Sequence, residues 1–180
     1  HHLKIDSLCS LMKKVLIYDL CLTATLSSVL FVQEQLLAFL PNIQLTIFLL
    51  ILFSKKLGFV QTSFIVLIYT TLDCLLNGGL HVLYFPFMLL GWLLIPLTLS
   101  TVFKKVTAPL FLGFLAVVYA FCYSWIFLIP NYLIYQIDPV AYLITDLAWE
   151  ALLAASGFLS TVWFYRPCEK LMDIIKRKDR

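Results

Sequence analysis

Every lysine and arginine of this chain falls into one of four clusters, and long apolar stretches lie between them. The clusters are Lys4, Lys13 and Lys14; Lys55 and Lys56; Lys104 and Lys105; and a tail from Arg166 to Arg180. The apolar runs occupy approximately residues 15–40, 45–53, 59–76, 84–103, 109–129 and 140–165. A hydrocarbon core about 30 Å thick takes roughly 20 helical residues, each rising about 1.5 Å. All runs except the second are of that order. The second is expected to tilt or to be buried among its neighbours.

Composition closes off the soluble alternative. Hydrophobic residues make up 62% of 180 and charged residues 13%, against about 45–50% and about 25% in an ordinary soluble domain. The fold class expected is therefore an all-α integral membrane protein, a compact bundle of six transmembrane helices. The loops around Pro41, Gly78 and Asn131 carry no lysine or arginine. Basic and non-basic connections thus alternate, which is the positive-inside pattern for six spans with the N- and C-termini cytoplasmic.

Turn signals mark the breaks: Pro41-Asn42, Lys55-Lys56-Leu57-Gly58, Asn77-Gly78-Gly79, Lys104-Lys105 and the stretch 129–139. Three parts follow. Residues 1–14 combine His1 and His2, read as a tag remnant, with a cytoplasmic N-terminal segment. Residues 15–165 form the six-helix domain. Residues 166–180 form a basic cytoplasmic tail, read as a short amphipathic interfacial helix. No signal peptide is expected, since the first run is long and lacks a small-residue cleavage site.

Cys9, Cys21, Cys74, Cys122 and Cys168 stand singly, without a CxxC spacing or a Cys/His cluster. Neither a metal site nor a redox pair is suggested, and no cofactor is implied. An intramembrane zinc protease needs paired histidines and a thiol enzyme needs CxxC, so the chain does not read as an enzyme.

The acidic residues carry the functional signal. Asp19, Glu34, Asp73, Asp138, Asp146 and Glu150 lie within or above the membrane with no basic residue at similar depth. A carboxylate in hydrocarbon faces protein, water or a ligand, or takes a proton. Asp146 and Glu150 are stacked at i,i+4 with Trp149 beside them, and Asp73 and Asn77 repeat that spacing. With His81, Tyr84, Trp92, Trp125 and Tyr132 they sketch an outward-opening polar and aromatic pocket, although aromatic belts and helix caps account for such residues too. Asp19 and Glu169 lie near the basic boundary, where ion pairing suffices. Glu34, between Gln33 and Gln35, suits either setting. Thr23, Ala24, Ser27 and Ser28, and Ala151, Ala154, Ala155 and Ser156, are small-residue patches that permit close helix approach, within the fold or to a partner.

Several local patterns then carry a resemblance. Leu40-Pro41-Asn42-Ile43-Gln44-Leu45 leads into a short second helix ending Lys55-Lys56-Leu57-Gly58. The third run ends Leu72-Asp73-Cys74-Leu75-Leu76-Asn77-Gly78-Gly79, and the last passes Ala151 to reach Tyr165-Arg166-Pro167 and the basic tail. Over nearly its whole length the chain resembles the substrate-binding S components of energy-coupling factor (ECF) type ABC transporters.

That resemblance implies a multi-pass subunit of a bacterial cell membrane that binds a vitamin or precursor near the outer face, with the first loop as a lid. It implies partners: a transmembrane coupling subunit and two cytoplasmic ATPase subunits that hydrolyse the ATP. The absence of a GxxxxGK[ST] sequence agrees. The family's AxxxA contact motif on helix one is represented here by Ala24-Thr25-Leu26-Ser27-Ser28, with serine in place of the second alanine, so Ala24 and Ser28 are the candidate partner contacts.

Without lysine or arginine at pocket depth, the chain leans toward a neutral or cationic aromatic heterocycle: vitamin B6 forms, hydroxymethylpyrimidine or thiamin. A stand-alone proton-coupled carrier using Asp146 and Glu150 is the alternative, and a small intramembrane enzyme a more distant one. Nucleic acid is not an expected partner, because topology already accounts for the basic tail. For the topology, single cysteines placed in the loops near Pro41, Gly78 or Asn131, in a background without native cysteines, should react with an impermeant thiol reagent on whole cells. Labelling confined to the Lys55 and Lys104 loops would reverse the orientation.

Overall fold

The computed structural model describes residues 2–40, 42–77 and 84–178, with side chains for 16–40, 42–76 and 84–175. These residues form seven α-helices: α1 His2–Leu37, α2 Thr46–Leu57, α3 Phe59–Asn77, α4 Tyr84–Ser100, α5 Pro109–Ile126, α6 Leu128–Tyr135 and α7 Pro139–Lys178. Four segments are long and apolar enough to cross a membrane: Leu16–Leu37, Phe59–Leu76, Pro109–Tyr135 and Pro139–Ile175. The helix Tyr84–Ser100 is apolar but shorter.

Local chemistry explains where the helices begin and end. Lys55 and Lys56 occupy the last turn of α2, where cations suit the negative end of the helix dipole. Gly58, at φ 84°, then turns the chain directly into α3. Pro109 opens α5 at a position where a missing N–H costs nothing. Gln136 ends α6 in the left-handed region at φ 51°. Asp138 starts α7: its Oδ2 accepts the Ala141 N–H at 2.9 Å, an N-cap before Pro139. That acid is thereby a cap.

The twelve residues of α2 reach only about 18 Å. Eight of them, from Thr46 to Ser54, are buried, and α2 touches α1, α3, α4, α5 and α7. The short second run is thus the centre of the bundle, enclosed by its neighbours. Gln33 of α1 holds its entrance. Its Nε2 donates to Thr46 Oγ1 at 2.7 Å, and its Oε1 accepts the Leu45 N–H at 2.9 Å.

The most extensive helix pair is α5 with α7. Small residues bring the two together: a Cβ on Gly113 would sit 2.9 Å from Val162, and one on Gly157 would touch Ala116 and Ile47 at 3.6 Å. Of the small-residue patches, Ala154 is buried here while Ala151 and Ala155 are exposed. On α1, Ser27 is fully buried, whereas Ala24 and Ser28 are exposed.

Two sequence expectations change. The fifth run continues as α6 after a step at Phe127, which adds a seventh helix. The tail is no separate interfacial helix, because α7 runs unbroken through Pro167 to Lys178. Ion pairs tie that extension back to the α2 end. Lys56 Nζ lies 3.1 Å from Glu169 and 3.0 Å from Asp173, and Arg166 is 3.3 Å from Glu169. Burial pulls the Lys56 ammonium down, but its hydrogen bonds to the Asp173 and Glu169 carboxylates outweigh it and hold the pKa above the ordinary lysine value. Lys55 donates to the Phe103 carbonyl at 2.5 Å, binding the α4–α5 turn to the same end.

Partly exposed ion pairs contribute about 0–1 kcal/mol each. Lys56→Met should therefore change the melting temperature little, yet speed amide exchange across residues 166–175. Unchanged exchange there would mean that α7 packing alone holds the extension. With its raised pKa, Lys56 keeps the clasp throughout the neutral range and loses it only as pH rises through that value.

Candidate functional site

The end of the bundle opposite these lysines is acidic and aromatic. It is built from the last turns of α1, α3 and α5, the first turns of α4 and α7, and α6. Tyr69 on α3 donates its hydroxyl to Glu34 Oε2 of α1 at 2.6 Å. Asp73, one turn further along α3, is buried, with 8% of its surface exposed.

From Tyr69 a series of aromatic contacts crosses the bundle. Tyr69 meets Trp92 of α4 edge-on at 6.3 Å. Trp92 stacks on Tyr123 of α5 at 3.9 Å with 24° between the planes. Tyr123 meets Phe127 at 5.1 Å, and Phe127 stacks with Tyr84 at 6.0 Å. The Tyr84 hydroxyl then donates to Asn131 Oδ1 at 2.7 Å. Phe127 marks the α5–α6 step, so that irregularity places its ring between two tyrosines. Trp92 keeps 1% of its surface exposed.

Two features flank this ribbon. On one side, a cavity of about 360 Å³ opens at the first loop, lined by Glu34, Gln35, Leu37, Ala38, Leu40, Asn42, Ile43 and Gln44. Its volume is of the order that holds a small ligand. Four of its lining side chains, Glu34, Gln35, Asn42 and Gln44, offer carboxylate or amide groups. On the other side, Ser124 of α5 donates to Asp146 Oδ2 of α7 at 2.5 Å. Glu150, one turn on, is 1% exposed.

The structure thus brings Asp73, Tyr84, Trp92, Asp146 and Glu150 to one end of the bundle. It turns Trp125, Tyr132 and Trp149 outward, at 54%, 54% and 44% exposure. Trp125 follows Ser124 and Trp149 precedes Glu150, so each points about 100° away from its inward neighbour. Trp149 and Tyr132 belong to the outer surface of the bundle, whereas the partly exposed Trp125 side chain also reaches Glu150 of α7. The side chain of Asn77, and His81 entirely, lie outside the described residues.

Tyr69, Tyr123, Ser124 and Phe127 were not among the sequence candidates for the site, and the sequence leaves Glu34 open between site and surface. Tyr69 and Asp73 do share an i,i+4 face, and that spacing was the available signal for Tyr69. No metal-ligating group of His, Cys, Asp and Glu occurs among the described residues. Comparison with protein-family models, curated proteins and solved structures finds no match.

Gly91 sets the geometry of the ribbon. A Cβ there would lie 2.7 Å from the Tyr123 ring, which is already committed to Trp92 on its face and Phe127 at its edge. Gly91→Ala should displace Tyr123 and cost about 1–3 kcal/mol by overpacking. The change is read as a lower melting temperature with an altered near-ultraviolet aromatic signal. Wild-type values for both would show that the stack adjusts freely.

Proposed function

We propose that this chain is a membrane-embedded substrate-binding subunit for micronutrient uptake, of the kind that the S-component resemblance implies. The observation that carries the reading is Glu34. Its carboxylate lines a ligand-sized cavity and is held in place by Tyr69. It lies in one of three long stretches without lysine or arginine, residues 15–54, 57–103 and 106–165. A half-buried carboxylate without a basic counter-charge favours a ligand that supplies an N–H or a positive nitrogen. The preference for a flat, aromatic one comes from the S-component resemblance, since the cavity lining carries no aromatic ring. The substrate class is therefore a neutral or cationic aromatic heterocycle, with vitamin B6 forms, hydroxymethylpyrimidine and thiamin as the compounds to try.

In this reading the basic end faces the cytoplasm, the cavity faces outward, and the first loop, tied down through Gln33, borders the entry. The six spans are α1, α2, α3, α4, α5 with α6, and α7, with the short α2 sheltered by the others. ATP hydrolysis belongs to partner subunits. Ala24 supports a docking face: it is exposed and lines an apolar groove of about 610 Å³ between α1 and α3, toward the basic end. Ser28, one turn on, is exposed and bonds its hydroxyl back to the Ala24 carbonyl at 2.9 Å, leaving the helix face slim.

The test is a titration of the purified protein with pyridoxine, pyridoxamine, hydroxymethylpyrimidine and thiamin, followed by tryptophan fluorescence and repeated with Glu34→Gln. Loss of one charge-assisted hydrogen bond costs about 1.5–3 kcal/mol, so affinity should fall on the order of ten- to a hundredfold. Equal affinity in the variant would remove Glu34 from the site. Tight binding confined to an anionic vitamin would overturn the substrate class.

A further inference from the structure

Glu34 leaves the second acidic pair unexplained. Asp146 and Glu150 sit one turn apart on α7 and face α5. Asp146 has a partner in the Ser124 hydroxyl. Glu150 has the Ser124 hydroxyl and the Trp125 indole beside it, yet its Oε1 is fully buried and accepts no hydrogen bond. A buried oxygen of an ionised carboxylate left in that state costs several kcal/mol, so something must neutralise it.

The surroundings offer no positive charge among the described residues. On α7 itself the nearest titratable group is Tyr142, with Tyr84 of α4 beyond it. From α5 come Ser124 and Trp125. The tyrosine that α6 adds, Tyr135, faces Tyr84. The lysines of α2 bond at the opposite end of the bundle. Ser124 lies in the last turn of α5, where the helix dipole is negative and adds to the preference for a cation.

We propose that Asp146, Glu150 and Ser124 form a binding site for a small monovalent cation, a sodium ion or a proton, that neutralises the carboxylate pair. Carboxylate and hydroxyl oxygens at the carboxyl end of an interrupted membrane helix suit either cation. The donor set is oxygen-only and anionic, and it is separate from the loop cavity at Glu34. The site therefore stands apart from the micronutrient reading, which the Glu34 titration tests independently.

The experiment is thermal unfolding of the purified full chain in detergent, for wild type, Glu150→Gln and Asp146→Asn. Two series are run at constant ionic strength: sodium replacing choline at pH 8, and pH lowered from 8 to 5 without sodium. A cation bound to the native state and released on unfolding stabilises by mass action. A sodium site predicts that saturating sodium raises the wild-type midpoint by on the order of 5 °C. A proton site predicts that the midpoint rises as pH falls, with no response to sodium. In either case both variants should lose the response, since removing one charge of the pair removes the need for the cation. If the wild type and a folded variant respond alike in both series, the proposal is overturned. Asp146→Asn decides if Glu150→Gln does not fold.

Discussion

A helix of twelve residues that is apolar on every side has few places to go. At about 18 Å, α2 is too short to cross a bilayer core alone. It has no polar face to offer water either, apart from the lysines at its end. The structure surrounds it with five other helices. That enclosure sets the rest of the arrangement. The approach of α5 to α7 over Gly113 and Gly157 closes one side, with Ile47 of α2 touching the Gly157 position. Gln33 closes the entrance by bonding both the Leu45 amide and the Thr46 hydroxyl.

The two ends of the bundle differ in how they deal with charge. At the lysine end every described acid on α7 beyond Tyr165 has a basic partner: Lys56 serves Glu169 and Asp173, and Arg166 adds a contact to Glu169. At the other end the carboxylates of Glu34 and Asp146 rely on hydroxyls, from Tyr69 and Ser124. A hydroxyl donates a single proton, so it orients a carboxylate without discharging it. At the first end the acids of α7 are thus discharged. The second remains able to take a cation or a ligand bearing N–H groups.

Much of the architecture was legible because it follows from one-dimensional quantities. Run length and turn residues located the helices from α1 to α5 and the start of α7, and the shortness of the second run already implied shelter. The α6 helix was hidden because Pro130 and Asn131 look like loop residues. Pro130 is tolerated in the first turn of a new helix, where its missing N–H does no harm. The tail was misread for a related reason. Pro167 suggested a break that α7 passes through.

The site was legible where a face could be deduced. Spacing put Asp146 and Glu150 on one face, which is where the structure places them. It carried no information on the exposure of Trp125, Trp149 and Tyr132, because which side of a helix faces inward depends on its neighbours. Tyr123 shows the converse. Its position is fixed by Gly91 on another helix, and no local pattern on α5 records that dependence.

The length of α7 has a practical meaning. Forty residues without a break extend about 60 Å, twice the thickness of a bilayer core. The stretch from Arg166 to Lys178 spans about 20 Å, and it is held against the bundle as far as Asp173 by buried Met172 and by Lys56. A soluble domain fused in helical register after Lys178 would inherit that rigidity and hold a fixed orientation to the bundle. Such a handle gives a small, largely helical protein a fiducial for image alignment. Its angle can be set about 100° at a time by adding single residues to the junction.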